Sequence, residues 1–240
     1  METRERENTK LDPGTIVLWF VVFLFSLSFH ESAHAWTSSR FGDDTGRLLG
    51  RITLNPIPHV DPLGTILLPL IGFISGVPLF GWAKPVPVNP LLWREKTKAN
   101  ILTSAAGPIS NLILLIVSFA IAKALLLGGV LTPNYDGTLY DLLMPVNREN
   151  TPLIAVAKLL SIAMFLNLSL AVFNFIPVPP LDGSHVLESL LPYEMSKAYE
   201  QLRPYGFLLL MALLYLGVFW ALFKPFANLL LYALGIHGSL

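Results

Sequence analysis

The stretch "GTIVLWFVVFLFSLSFHESAHAWTSS", residues 14–39, decides how the rest of the chain is read. Between Gly14 and Phe29 it carries no charged side chain. A helix crosses the hydrocarbon of a bilayer with about 20 mostly apolar residues at about 1.5 Å per residue. The stretch therefore predicts a membrane-spanning helix, yet near its end it places His30, Glu31 and His34. An ionisable side chain at the centre of a membrane helix costs about 2.5–3.5 kcal/mol on insertion scales. Three such groups in one turn point to chemistry rather than packing, the competing reading being a polar helix end that meets headgroups or partner helices.

The remainder of the chain supports a membrane class. Of its 240 residues 53% are hydrophobic and only 13% charged, about half the charge of an ordinary soluble domain. Further apolar runs fall at 63–82, 99–128, 151–176 and 204–235. The expected fold is an all-α polytopic bundle with four to five membrane-spanning helices, one broken or re-entrant segment and short extended pieces. The tail 1–12 is expected to stand apart as a charged end, and 13–240 to form one membrane-embedded domain. Lys plus Arg and Asp plus Glu both total 16, so no basic surplus invites nucleic acid. With no cysteine, disulfides, thiolate nucleophiles and cysteine zinc sites are excluded.

The run 63–82 is short and interrupted by Pro69, Gly72, Gly76 and Pro78. Broken backbone is tolerated at membrane depth where it faces protein or a wet cavity. Basic residues cluster at 40–51 (Arg40, Arg47, Arg51) and 84–98 (Lys84, Arg94, Lys96, Lys98), and Lys197 and Arg203 lie in 177–203, whereas 129–150 holds Arg148 alone. Lys and Arg mark cytoplasmic connections. Both ends of 63–82 then lie inside, which favours re-entry over crossing.

His30 to His34 reads H-E-x-x-H. In a helix the two histidines stand one turn apart on one face, where both imidazoles can bind one zinc ion with Glu31 beside them as general base. A catalytic zinc site usually takes three protein ligands and leaves one position open. The third ligand could come from an Asp, a Glu, His59, His185 or His237. The strongest candidate lies in "NFIPVPPLDGSHV", residues 174–186. Three prolines there end a helix and remove backbone donors, and Asp182 follows on rigid, unwound chain. Locally, Asp182-Gly183 reads equally well as a surface turn capping the next helix. Topology favours the metal: if 63–82 only re-enters, the helix ending near Asp182 runs the same way as the first helix, and both motifs reach similar depth.

H-E-x-x-H at 30–34 and "NFIPVPPLDG" at 174–183 together resemble the site-2 proteases, membrane-embedded zinc metalloproteases. "RITLNPIPHVDPLGT" (51–65), "GWAKPVPVNP" (81–90) and "AAGPISN" (105–111) also resemble the short bacterial or archaeal-type members, without PDZ or CBS domains. The resemblance implies one zinc per chain held by His30, His34 and Asp182, with Glu31 as base and Asn174 near the reacting centre. It also implies a multi-pass protein of the plasma membrane whose site lies nearer the cytoplasmic side. Its partners would be the lipid bilayer and a transmembrane protein substrate, cut by regulated intramembrane proteolysis.

From the residues themselves, hydrolysis by a zinc-activated water is the chemistry expected. Asn174 is the first candidate for an oxyanion donor and His59 the second. Val86 and Val88, alternating with Pro85 and Pro87, favour extended backbone that could receive an unwound substrate as an added strand. His59 and His185 are candidates to support the ligands from behind. Asn111, Asn167 and Ser110 read as helix–helix contacts. A metal-ion transporter and a catalytically silent scaffold are the rival readings, and no oligomeric state is set by the sequence.

Overall fold

The computed structural model describes residues 13–75, 81–135 and 138–237. The charged tail 1–12, with Gly76 and Pro78, lies outside them. In chain order the elements are α1 (Pro13–Arg40), α2 (Thr45–Leu48), α3 (Leu68–Ser75), α4 (Lys96–Leu127), β1 (Leu131–Pro133), β2 (Leu143–Pro145), α5 (Thr151–Asn174), α6 (Asp182–Leu190), α7 (Tyr193–Glu200), α8 (Gly206–Tyr215) and α9 (Val218–Leu234).

Three helices, α1, α4 and α5, are long and apolar enough to cross a membrane, and the bent pair formed by α7–α8 with α9 makes a fourth span if counted as one. They coincide closely with the runs 14–39, 99–128 and 151–176. The last run, 204–235, does not form one straight helix. It breaks at Leu216–Gly217 with a bend of 59°, where Gly217 takes a left-handed φ of 75° that a side chain would disfavour. Chain termini apart, this is a polytopic helical membrane protein.

α1, α4 and α5 pack against one another, and α4 also carries α6. Apolar side chains separate into two populations. Val22, Phe23 and Leu27 of α1 are buried against Ile162, Ala163 and Leu166 of α5. Ile113, Ile116, Val117 and Ile121 of α4 are exposed, as a lipid-facing surface requires when hydrocarbon replaces water. A second cluster joins α5 to the bent pair through Leu168, Leu210, Phe219 and Phe223. The two short strands pair antiparallel, Leu131 opposite Pro145, and close one end of the bundle through Leu131 and Leu143.

The segment 62–75 answers the question of crossing or re-entry. It begins as a π-helical turn over Pro62–Leu67, capped by Asp61, which accepts from Leu63 N–H and Gly64 N–H. Trp82 N–H donates to Gly64 O at 3.3 Å, and the Thr65 hydroxyl donates to Trp82 O at 2.8 Å. The two ends of the excursion are therefore neighbours, so it returns to its starting depth and does not carry the chain across. The extended backbone expected around Val86 and Val88 pairs as no strand among the described residues, and Pro90 opens a 3-10 turn over Pro90–Leu92. Pro85, Pro87 and Pro90 remove the donors that a ladder needs, and the paired strands lie instead in the connection after α4.

Candidate metal centre

The two motifs meet. His30 Nε2 lies 3.1 Å from Asp182 Oδ2, and His34 Nε2 lies 3.4 Å from Asp182 Oδ1. Ligand atoms of all three residues fall within 4.8 Å of one another, and among the described residues they form the one group of this kind. Helix periodicity brings the histidines together on α1. Asp182 is delivered by the turn after α5, at the first residue of α6, where Pro179 and Pro180 are joined by a cis peptide bond.

Each imidazole is held from behind. His34 Nδ1 donates to the backbone carbonyl of Thr103 at 2.7 Å. His30 Nδ1 lies 2.6 Å from Asn111 Oδ1. Carbonyl oxygens only accept, so both Nδ1 atoms carry the proton and both Nε2 lone pairs face the Asp182 carboxylate. Asp182 Oδ2 is buried and receives no hydrogen bond. Three electron-rich atoms facing one another without a donor is the arrangement a cation completes. Two imidazole nitrogens and a carboxylate oxygen are also zinc's usual ligand types.

Gly107 supplies the space. It sits inside α4 against both histidines, and a Cβ built there would collide with Nε2 of His30 and of His34, and would lie 2.6 Å from His30 Cε1. A side chain at 107 would thus fill the volume that a metal needs. Gly183, beside Asp182, is equally confined, by the carbonyls of Phe175 and Ile176.

Glu31 is buried next to the histidines, and its Oε2 accepts from Val86 N–H at 3.0 Å. Val86 is thereby brought to the site, and it lines the same cavity as Val88, Asn174 and His185. The strap that carries it is pinned by Arg51, whose Nη2 donates to Lys84 O and Pro85 O at 3.2 and 2.7 Å, and by Lys84 N–H to His59 O at 2.9 Å. Its far end is anchored by Asp43, which accepts from Asn89 N–H, Thr45 N–H and the Ser38 hydroxyl. Burial alone would raise Asp43, but the hydrogen bonds from Thr45, Asn89 and Ser38 outweigh it and hold its carboxyl below the usual range.

Other candidates are placed less centrally. His59 is buried in the loop before α3, with Nε2 on Thr53 O at 3.1 Å, and it touches none of the three converging residues. Burial holds it below the usual imidazole value. His185 faces Glu188 at 3.8 Å. Asn174 lines the cavity but donates to Leu170 O of its own helix at 2.9 Å. Thr103, Gly107 and Asn111 escaped sequence reasoning as neighbours of the histidines. Gly107 and Asn111 fall within "AAGPISN", whose resemblance carries no role for either, and Thr103 lies outside it.

The cavity holds about 1070 Å³, at the upper end of ordinary small-molecule sites. Its walls are mixed: Leu27, Leu170 and Phe173 are apolar, while Lys96, Glu188 and Arg203 are charged. A helical membrane bundle with a partly buried His-His-Asp cluster, an adjacent glutamate and a cavity open to polar residues has the makings of a membrane metallohydrolase.

Comparison with known proteins agrees. The chain belongs to Peptidase family M50, whose family description matches residues 18–216. It is 36% identical over 202 residues to the Bacillus subtilis protein named "Putative zinc metalloprotease YwhC", covering 84% of this chain and 82% of that one. It is 30% identical over 202 residues to the Mycolicibacterium smegmatis protein named "Putative zinc metalloprotease Rip2", covering 84% and 68%. No solved structure matches the chain. The protein is thus a membrane zinc metalloprotease.

Proposed function

We propose that this chain is an intramembrane zinc endopeptidase that hydrolyses peptide bonds in or near transmembrane segments of other membrane proteins, as a step of regulated intramembrane proteolysis. The observation that carries the reading is the meeting of His30 and His34 with Asp182, two elements separated by about 150 residues of chain, beside Glu31 in one cavity. His30, His34 and Asp182 would hold the zinc. The metal supplies Lewis-acid chemistry, acidifying water and polarising a scissile carbonyl.

The residues around it have separate tasks. Glu31 accepts a proton from the attacking water and returns it to the leaving amine, and the Val86 N–H on its Oε2 fixes the carboxylate's orientation. A peptide bond within a helix is sheathed by its own hydrogen bonds, so the substrate must unwind before attack. The strap 83–88 offers an extended edge for it, through the carbonyls of Val86 and Val88 and the Val88 N–H. Asn174 is a candidate oxyanion donor once its amide turns from Leu170 O into the cavity. His59 and His185 act at a distance, His59 by holding the strap and His185 at the polar wall. Water enters past Lys96, Glu188 and Arg203. The basic residues at 40–51 and 84–98 support a site nearer the cytoplasmic face of a plasma membrane.

Purified protein in detergent, supplied with zinc and a membrane-spanning peptide, tests the reading. Wild type should cleave and Glu31→Gln should keep zinc without cleaving. Equal cleavage by both proteins overturns the role of Glu31, and zinc flux into sealed proteoliposomes without cleavage would indicate a transporter.

A further inference from the structure

His34 and His30 face the same carboxylate, but their tautomers are set in different ways. His34 Nδ1 meets a backbone carbonyl, which has only one sense. His30 Nδ1 meets the side-chain amide of Asn111, which has two. Turned one way, that amide accepts and leaves Nε2 free to bind a metal. Turned the other way, it donates, and the proton moves to Nε2, where it blocks coordination.

The direction is fixed two residues further away. Asn167 Nδ2 lies 2.9 Å from the Ala163 carbonyl, which can only accept, and 3.0 Å from Ser26 Oγ. The NH2 of Asn167 is thereby committed, and its Oδ1 faces Asn111 at 2.9 Å. Asn111 must present Nδ2 to that oxygen and Oδ1 to His30. The chain joins α5, α4 and α1, and Ser26, Asn111 and Asn167 are each at most 1% exposed. Both amides are thus shut off from the protein surface.

We propose that Asn111 and Asn167 are positioning residues that form a directional amide relay, running from the Ala163 carbonyl to His30, and that this relay holds His30 in the tautomer able to bind zinc. The inference rests on the proposed role of His30, His34 and Asp182 as zinc ligands. It assigns to two membrane-buried asparagines a task beyond helix packing. Outer partners of ligating histidines typically change metal affinity by about 10–100-fold when removed.

The test is zinc affinity, measured on the full-length protein in detergent by competition with a chelator. Asn167→Leu touches neither His30 nor the ligand cluster, and it frees the Asn111 amide to turn over. Zinc affinity is expected to fall about tenfold. A carboxylate has no wrong end, so adding Asn111→Asp removes the need for a directing partner. The double variant N111D/N167L should therefore recover most of the lost affinity and match Asn111→Asp alone, an insensitivity to residue 167 that neither a packing role nor the added charge would produce.

Cobalt substitution reads the same comparison through the ligand-field spectrum. The spectrum should change in Asn167→Leu and return in the double variant. If leucine at 167 prevents folding, Asn167→Ser takes its place in both variants. Wild-type affinity in the single variant, or a double variant no better than the single, overturns the relay. Wild-type protein that binds no zinc overturns the ligand assignment with it.

Discussion

Gly107→Ala is the sharpest perturbation that the structure offers, because one methyl group lands where the metal would sit. An ideal Cβ at 107 lies 2.6 Å from His30 Cε1 and closer still to Nε2 of both histidines. An unstrained contact needs about 3.5 Å, so the rings must retreat by roughly 0.9 Å or more. They are tethered from behind, by bonds of 2.6 Å to Asn111 and 2.7 Å to Thr103 O. Metal sites tolerate about ±0.2 Å in ligand distance, so this displacement would disable two of the three proposed ligands at once. Zinc affinity should fall by more than about 100-fold, beyond the loss typical of an outer partner, and proteolysis should disappear with it. Helix propensity acts in the opposite direction, alanine being better than glycine by up to about 1 kcal/mol. That gain offsets only part of the about 1–3 kcal/mol that overpacking against the two rings costs, so the metal-free variant should be less stable than metal-free wild type by up to about 2 kcal/mol. Zinc content after gel filtration, chelator competition and thermal unfolding of both apo proteins measure these quantities. A variant that binds zinc one-to-one with wild-type affinity would refute the placement of Gly107 against the ligands.

Three further outcomes are expected. Asp182→Asn should release zinc, since a neutral amide replaces the carboxylate facing both Nε2 atoms, while the helical content seen by circular dichroism stays unchanged. Val86→Pro removes the donor to Glu31 Oε2; cleavage should fall at least about tenfold with zinc retained, as metal analysis beside a peptide-cleavage assay would show. Asp43→Ala leaves the Ser38 hydroxyl and the Asn89 and Thr45 amides short of an acceptor, and should cost about 2–4 kcal/mol. The Asp43 carboxyl is held below its usual range. Its contribution is therefore fully present above the unfolded value of about 3.9 and lost as pH falls through the lower folded value. Unfolding curves of wild type and Asp43→Ala should converge on acidification below about pH 4.

The long apolar runs made α1, α4 and α5 legible, because hydropathy over about 20 residues leaves a helix as the economical way to satisfy the backbone in lipid. H-E-x-x-H was legible because helix geometry alone puts His30 and His34 side by side. Asp182 needed topology, and the contact of Trp82 with Gly64 explains why the depth argument worked. What escaped depended on long-range contacts. Gly107 lies within "AAGPISN", and nothing local tells that its missing side chain faces two imidazoles. Asn111 and Asn167 read as generic helix contacts, which they are, but the acceptor end of Asn111 is committed by a carbonyl on another helix. The bend in 204–235 followed from Gly217, a residue that apolar windows average away.

Anomalous scattering at the zinc edge, recorded from crystals of the zinc-loaded protein, would locate the metal itself. One peak is expected among His30 Nε2, His34 Nε2 and Asp182, with zinc–nitrogen distances of about 2.0–2.1 Å and a zinc–oxygen distance of about 2.0–2.2 Å. A peak elsewhere in the chain, with His30, His34 and Asp182 free of metal, would contradict it.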